Sequence, residues 1–267
     1  MTRRRAVLVA AAILGALAVA AALASLVAPY AFDAVDLAHR RAAPSLAHWF
    51  GTDDLGRDVF TRVLFGARVS LAVGLVSGMV SVGLGALVGG TAGYAGRWVD
   101  DALMRFTDAM LAVPRLPLLM IGAVVLAPGV PGLVILVGAA GWMETARVVR
   151  AEVLSLKARD FVSGARAVGA SPVRVAVLHV LPAALPIAGV ATTLAVARGI
   201  LLESALSFFG VGVQPPTASW GNMLYQGQAT MATEPWLAVF PGAAIFVTVL
   251  CLNVVGDALT AGRQVAR

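Results

Sequence analysis

Long apolar runs alternate with short polar segments along most of the chain. A helix needs about 20 consecutive apolar residues to cross the hydrocarbon layer of a bilayer. The pattern therefore predicts an all-α polytopic membrane protein with about six transmembrane helices. The predicted spans are Ala6–Ala28, Val69–Tyr94, Leu103–Leu126, Leu133–Val149, Leu181–Leu206 and a last one from Pro235 to Asp257. Pro114 and Pro117 predict a bend or interruption in the third span, because proline removes a helical hydrogen bond.

The polar stretch between the first two spans contains an amphipathic pattern. Within Asp53–Arg68, Leu55, Val59 and Val63 recur every four residues. This spacing predicts a helix lying in the membrane interface. A short soluble helix packed on the membrane domain is the alternative. The opposite side of this helix would carry Arg57, Asp58, Thr61 and Arg62.

The N-terminus admits two interpretations, because basic residues 3–5 precede the first apolar run. A secretory signal peptide also begins in this way, but its apolar core is typically about 7–15 residues long. The longer run here favours an uncleaved first helix. We expect residues 1–67 to hold this helix, an external loop and the interfacial helix. Residues 68–267 would form the membrane core with the other five spans.

Composition supports a membrane protein: 60% of the residues are hydrophobic and 13% are charged, whereas soluble domains carry about a quarter charged residues. The formal net charge is +6, but the arginines are spread over short loops, so we expect no nucleic-acid partner. With the N-terminus inside, thirteen of the 20 basic residues fall in cytoplasmic segments and five in external ones. This imbalance predicts a multi-pass protein of the cytoplasmic membrane with both termini in the cytoplasm.

The residues offer little for catalysis or metal binding. Cys251 is the single cysteine, and His39, His48 and His179 lie far apart in sequence, so we predict no catalytic residues and no metal site. A membrane-embedded enzyme would need a convergent catalytic set, and a secondary transporter would more often show internal repeats and buried charge pairs. The chain also lacks the Gly-x-x-x-x-Gly-Lys-Ser/Thr loop that cradles phosphates.

Two sets of residues inside the spans are candidates for lining a pathway through the membrane or for contacting another membrane subunit. Small residues recur every four positions in the second span, which lets two helix backbones approach closely; a static packing seam is the alternative. Ionisable residues within spans are functional candidates by default, although a structural role, or snorkelling for Arg115 and Glu144, is the alternative. The candidates are Ser77, Ser81, Gly85, Arg198 and Glu203, with Gly89, Gly93, Arg115 and Glu144 beside them.

Residues 150–180 predict a helix, a break and a second helix between the fourth and fifth spans. Gly169 fits a helix C-terminus, where glycine tolerates a left-handed backbone. Ser171 is a suitable N-cap, and Pro172 suits the first position of the next helix. Either a partner docks on this segment or it is a solvated connector. The predicted apolar stripe consists of Leu154, Ala158, Phe161, Ala165 and Val168.

The run Ser163-Gly-Ala-Arg-Ala-Val-Gly169, followed by Leu181-Pro182, is similar to the signature loop of ABC importer permeases. In that family the loop reads Glu-Ala-Ala, three residues, Gly, and later Leu-Pro. Ser163 replaces the Glu, Gly164 replaces an Ala, and His179 stands where Ile is usual. Further stretches resemble the second permease of the dipeptide, oligopeptide and nickel branch: residues 50–58, 66–70, 203–216, 219–223, 235–242 and 253–257.

This resemblance implies a type I ABC importer permease fold. The expected partners are a second homologous permease, two ABC ATPases, an extracytoplasmic solute-binding protein and the lipid bilayer. Mg-ATP would bind only to the ATPases, and this chain would carry no cofactor. The solute would be a dipeptide or oligopeptide, with nickel or another small solute as the alternative. The implied ATPase-coupling residues are Asp160, Ser163, Gly164, Ala165, Arg166, Ala167, Gly169, Ala170 and Ser171.

The external segment between the last two spans is expected to help form the outer mouth. Glycines and prolines at 210–216 break the helix, and Ser219 can cap a short one. In such an importer a binding protein would dock here. The candidate contacts are Trp220, Asn222 and Tyr225.

Overall fold

The computed structural model describes residues 2–126 and 129–265, and its regular elements are helices. An isolated β-bridge joins Thr52 to Asp58. The π-helical turn Ala176–Val180 joins the ninth and tenth helices into one continuous rod. The helices are α1 Thr2–Ala22, α2 Ala24–Val27, α3 Val59–Ala95, α4 Arg97–Ala112, α5 Arg115–Leu126, α6 Val130–Ala139, α7 Trp142–Lys157, α8 Asp160–Ala167, α9 Pro172–Val175, α10 Leu181–Phe208, α11 Trp220–Gly227 and α12 Trp236–Val265.

Within the described ranges, four helices are long and apolar enough to cross a membrane: α1, α3, the α9–α10 rod and α12. Two further pairs pass the same test together, α4 with α5 and α6 with α7. They are bent by 86° and 41° at short breaks. Counting each pair as one span gives six, so the all-α polytopic prediction is confirmed.

The predicted third span is interrupted at Pro114, as its two prolines indicated. Val113, the residue before Pro114, is extended with φ −77° and ψ 128°, because the proline ring disfavours a helical residue in front of it. The predicted span Leu103–Leu126 corresponds to the bent pair α4–α5, but its predicted start lies inside α4, which begins at Arg97, and the chain turns sharply after Ala112.

The predicted separate helix over Asp53–Arg68 is wrong. Asp53 lies in a turn, where its carboxylate accepts hydrogen bonds from the backbone N–H groups of Leu55 and Arg57, both at 2.9 Å. Asp58 then caps α3 by accepting from the Thr61 N–H at 2.8 Å. The helix therefore begins at Val59 and runs through the proposed boundary between residues 67 and 68. The supposed polar side is buried rather than facing the membrane interface.

The helix α3 is the centre of the bundle. Its 37 residues give a length of about 55 Å, and it contacts α1, α4, α6, α7 and α10. Its small residues Ser81, Gly85 and Gly89 lie against α6 and α7 of the same chain. A Cβ added at Gly85 would lie 2.7 Å from the Trp142 carbonyl oxygen, and one at Gly89 would overlap the Ala146 carbonyl group. This close contact between helix backbones supports the alternative interpretation, in which the small residues of the second span form a static packing seam.

One end of the bundle gathers the α3–α4 turn and the 150–180 segment. Lys157 donates to the carbonyl oxygens of Gly93 and Tyr94. At the other end, the Arg68 guanidinium donates to the carbonyl oxygens of Ala21 and Ala22 at the end of α1. The helices α1 and α3 are thus antiparallel, and the start of α1 lies at the same end as the 150–180 segment.

Candidate functional site

The short helix α8 is fastened to its neighbours by one buried side chain. Val162 is fully buried and packs in a cluster with Val153 and Leu156 of α7. Val175 of α9 and Val180 of the π turn complete this contact. The cluster joins α8 to the end of α7 and to the start of the α9–α10 rod, so these elements are packed as one unit.

The break after α8 has the predicted geometry. Gly169 adopts φ +84°, and the Ala170 N–H donates to the Ala165 carbonyl oxygen at 3.1 Å, which closes the helix end. The Ser171 side chain accepts from the Arg174 N–H at 3.3 Å and caps α9. The predicted helix, break and helix are confirmed.

Most candidate coupling residues lie on the open surface of this unit, while Ala165 and Ala170 are half-buried. The predicted apolar stripe is wrong, because α7 ends at Lys157 and a new helix starts at Asp160. Val162 is the buried contact that the pattern missed. Phe161 and Val168 are exposed instead, Val168 to 86%. The exposed candidates are Asp160, Ser163, Gly164, Arg166, Ala167, Gly169 and Ser171.

A polar contact joins this unit to the end of α3. The Lys157 ammonium donates to the carbonyl oxygens of Gly93 at 3.0 Å and Tyr94 at 2.8 Å, and it lies over the Tyr94 ring. The Tyr94 hydroxyl donates to the Pro172 carbonyl oxygen. These contacts join the end of α3 to the end of α7 and to the start of α9.

A cluster of three charges links α5, α7 and α10. One carboxylate oxygen of Glu144 lies 3.1 Å from the Arg115 guanidinium, and the other contacts the Arg198 guanidinium. Arg115 and Glu144 are therefore partners rather than separate groups at loop ends. Glu203, five residues beyond Arg198, has a different environment, as its helical spacing predicted.

A cavity of about 670 Å³ lies beside this charge cluster. Its wall is formed mainly by apolar side chains of α4, α5, α6 and α7, and it includes both Arg115 and Glu144. A second, very small cavity borders Arg115, Arg198, Ser77 and Ser81. The charge cluster thus forms part of the wall of both cavities.

Glu203 is fully buried among hydroxyl groups. It accepts hydrogen bonds from Ser70 of α3 at 2.9 Å and from Ser207 at 2.8 Å. Ser70 in turn accepts from the Trp220 N–H at 3.2 Å. This network ties α3, α10 and α11 together, which gives Glu203 a structural role in this conformation.

Replacing Glu203 with leucine should destabilise the protein by about 2–4 kcal/mol, because buried hydroxyls lose their acceptor and each costs about 1–3 kcal/mol. Glu203→Gln keeps an acceptor and serves as the control, with a smaller expected loss. Thermal unfolding of the purified protein in detergent measures both. Equal unfolding temperatures for the leucine and glutamine variants would contradict this role.

Two of the three predicted contacts for a binding protein are buried, so the prediction is wrong for them. Trp220 is inaccessible, and its indole N–H donates to the Val63 carbonyl oxygen at 3.0 Å. Asn222 is also buried; it forms a capping box with Ser219. Both residues stabilise α11 and cannot touch a docked protein. Tyr225 is 47% exposed and stays a candidate.

The polar residues around the start of α3 form a buried network instead of a helix face. Arg57 donates to the Asp53 carboxylate at 2.7 Å and to the Gln226 side chain at 3.3 Å. Arg62 also contacts Gln226.

Among residues 2–126 and 129–265, no group of three or more His, Cys, Asp or Glu side chains is arranged to hold a metal ion.

Comparison with known proteins gives consistent matches. The family described as "Binding-protein-dependent transport system inner membrane component" matches residues 81–262. A protein named as a peptide permease in Brucella suis biovar 1 is 41% identical over 233 residues, covering 86% of this chain and 77% of that protein. The glutathione transport system permease protein GsiD of Escherichia coli O6:K15:H31 is 40% identical over 244 residues, covering 91% and 80%.

Proposed function

Because the chain belongs to the family of binding-protein-dependent transport system inner membrane components, we propose that it is the permease subunit of an ATP-driven importer of peptides. It forms half of the translocation pathway, and a second permease forms the other half. Two ATPase subunits bind and hydrolyse Mg-ATP, while this chain holds no cofactor. The observation that carries the proposal is the packed unit of α7, α8 and α9, which presents an exposed surface at one end of the bundle.

Peptides are favoured over nickel by the names of the relatives. The Brucella suis protein is named for peptides and the Escherichia coli protein for glutathione, which is itself a tripeptide. The apolar cavity beside a charged cluster also fits a small organic solute better than a metal ion, which would need carboxylate, imidazole or thiolate ligands.

The coupling mechanism follows from what α8 touches. An ATPase that binds α8 and moves it displaces α7 and α10 through the Val162 cluster. The same movement reaches α3 through Lys157 and Tyr94. These three helices also line or support the charged cluster, so a rigid rocking of the unit opens or closes the pathway.

We infer the orientation from the charges. The α8 end carries the larger share of basic residues and the start of α1, which supports placing this end, with both termini, in the cytoplasm. The opposite end, with α11 and the external loop, faces outward. The exposed Tyr225 ring on α11 provides a contact for the solute-binding protein.

Substitution of the exposed apolar residue Val168 tests whether the ATPase docks on the α8 surface. Val168→Asp should weaken ATPase binding by about tenfold, because an apolar side chain buried at an interface contributes about 1.5 kcal/mol or more. Copurification of the ATPases with the tagged permease measures this loss. Leu46→Asp, at a site 98% exposed on the outer end, is the matched control and should leave the complex intact; equal losses would refute this docking surface.

Expression of the tagged chain with its neighbouring transport genes tests the function itself. We expect two ATPases and a second permease to copurify, and proteoliposomes with the binding protein to take up peptides only with ATP. Uptake by the chain alone, or uptake that needs no ATP, would overturn the proposal.

A further inference from the structure

The charged cluster of Arg115, Glu144 and Arg198 has a composition that packing alone does not require. Two guanidinium groups share one carboxylate, each contacting a different oxygen of Glu144. The cluster therefore carries one uncompensated positive charge. We propose that it is a binding subsite for the C-terminal carboxylate of a peptide in the translocation pathway, an inference that rests on the proposed function.

The two arginines have more N–H donors than the two oxygens of Glu144 can bind. A guanidinium group carries five N–H donors in a planar fork that matches a carboxylate. The described hydrogen bond at this site uses one N–H of Arg115 on Glu144. A solute carboxylate can therefore bind to N–H groups of the two arginines that Glu144 leaves free.

The cluster is accessible to a solute. The side chains of Arg115, Arg198 and Glu144 are 24%, 40% and 40% exposed, so none is sealed in the protein core. By contrast, Glu203 is fully buried and its oxygens are satisfied by serine hydroxyls. The cluster can thus exchange partners, whereas the Glu203 network cannot.

The neighbouring cavity supplies room for the remainder of a short peptide. Its volume of about 670 Å³ lies in the range of about 300–1,000 Å³ that is typical of small-molecule sites. Leu118, Leu136 and Met143 line it together with Arg115 and Glu144. Apolar walls with a cationic end match a solute that has apolar side chains and a terminal carboxylate.

Glu144 gives the subsite a means of release. Its carboxylate neutralises one of the two positive charges, so it competes with the solute carboxylate for the attraction of the arginines. A transporter needs such weak binding, because a solute held by two free arginines would leave slowly. Removing this internal competitor should therefore strengthen the preference for a free carboxylate, while removing an arginine should weaken it.

Uptake of Ala-Phe-Ala and of its C-terminal amide by the complete reconstituted importer, at saturating binding protein, measures this preference as a ratio. Arg198→Gln should lower the acid-to-amide ratio by about tenfold, since a charge-assisted hydrogen bond contributes at least that factor. Arg198→Lys keeps the charge and should restore much of the ratio. Glu144→Gln should raise it. Selection by the binding protein is the same for every variant, so changes in the ratio belong to the permease.

Arg147→Gln is the matched control, because it removes an exposed arginine that pairs with Asp108 at 2.5 Å on the same helix as Glu144. Its ratio should equal that of the native protein. A ratio unchanged in Glu144→Gln, or lowered equally in all variants, would overturn the subsite, even if Arg198→Gln fails to assemble. Failure of the native importer to take up either peptide would refute the proposed function instead.

Discussion

Replacing Gly169 with valine is expected to reduce ATP-driven uptake by about tenfold, because a side chain in the left-handed region costs about 1–2 kcal/mol. Gly169 has φ +84°, and a Cβ at this position would meet nothing within 4 Å. The cost therefore comes from the backbone and not from a clash. The chain would relieve it by changing the angle between α8 and α9, which misplaces the surface offered to the ATPase. Peptide uptake and binding-protein-stimulated ATPase activity in proteoliposomes measure the loss.

Gly15→Ala is the control for this prediction. A Cβ at Gly15 also meets nothing within 4 Å, but this residue lies inside α1, where alanine is favoured over glycine by about 1 kcal/mol. We expect native uptake from this variant. Native uptake from Gly169→Val as well would show that the break between α8 and α9 does not set the coupling geometry.

Gly89→Ala should destabilise the protein markedly. The added Cβ would overlap the Ala146 carbonyl group, and helix backbone cannot move aside as a flexible side chain can. Overpacking of this kind costs about 1–3 kcal/mol or more, so α3 and α7 would separate and the unfolding temperature in detergent would fall by several degrees. The same substitution at Gly83 of α3, where a Cβ meets nothing within 4 Å, should leave the unfolding temperature unchanged. Equal unfolding temperatures for the two variants would contradict the close α3–α7 contact.

Local features of the fold could be predicted from the sequence. The long apolar runs identify the spans because a single helix must satisfy its own backbone in lipid. Gly169, Ser171 and Pro172 identify the break because each has a preference that depends only on its nearest neighbours. The start of α3 was misplaced, since the four-residue spacing continues before Asp58 while Asp58 itself caps the helix.

Contacts between distant segments could not be predicted in this way. Lys157 meets Tyr94 across 63 residues, and Arg115 meets Glu144 across 29; no local pattern specifies either pair. Trp220 was misassigned for a related reason. The segment around it is polar and was expected to be exposed, but α11 packs Trp220 against α3, where its indole N–H donates to the Val63 carbonyl oxygen.

The central claim is that α8 transmits the action of a separate ATPase to the membrane helices. Cross-linking from Ser163→Cys, in a background where the buried Cys251 is replaced by serine, tests it most directly. We predict a cross-link to the ATPase subunit, loss of ATP-driven uptake once it forms, and no such product from Leu46→Cys. Labelling of Ser163→Cys by an impermeant reagent added outside intact cells, with no ATPase cross-link, would contradict the account.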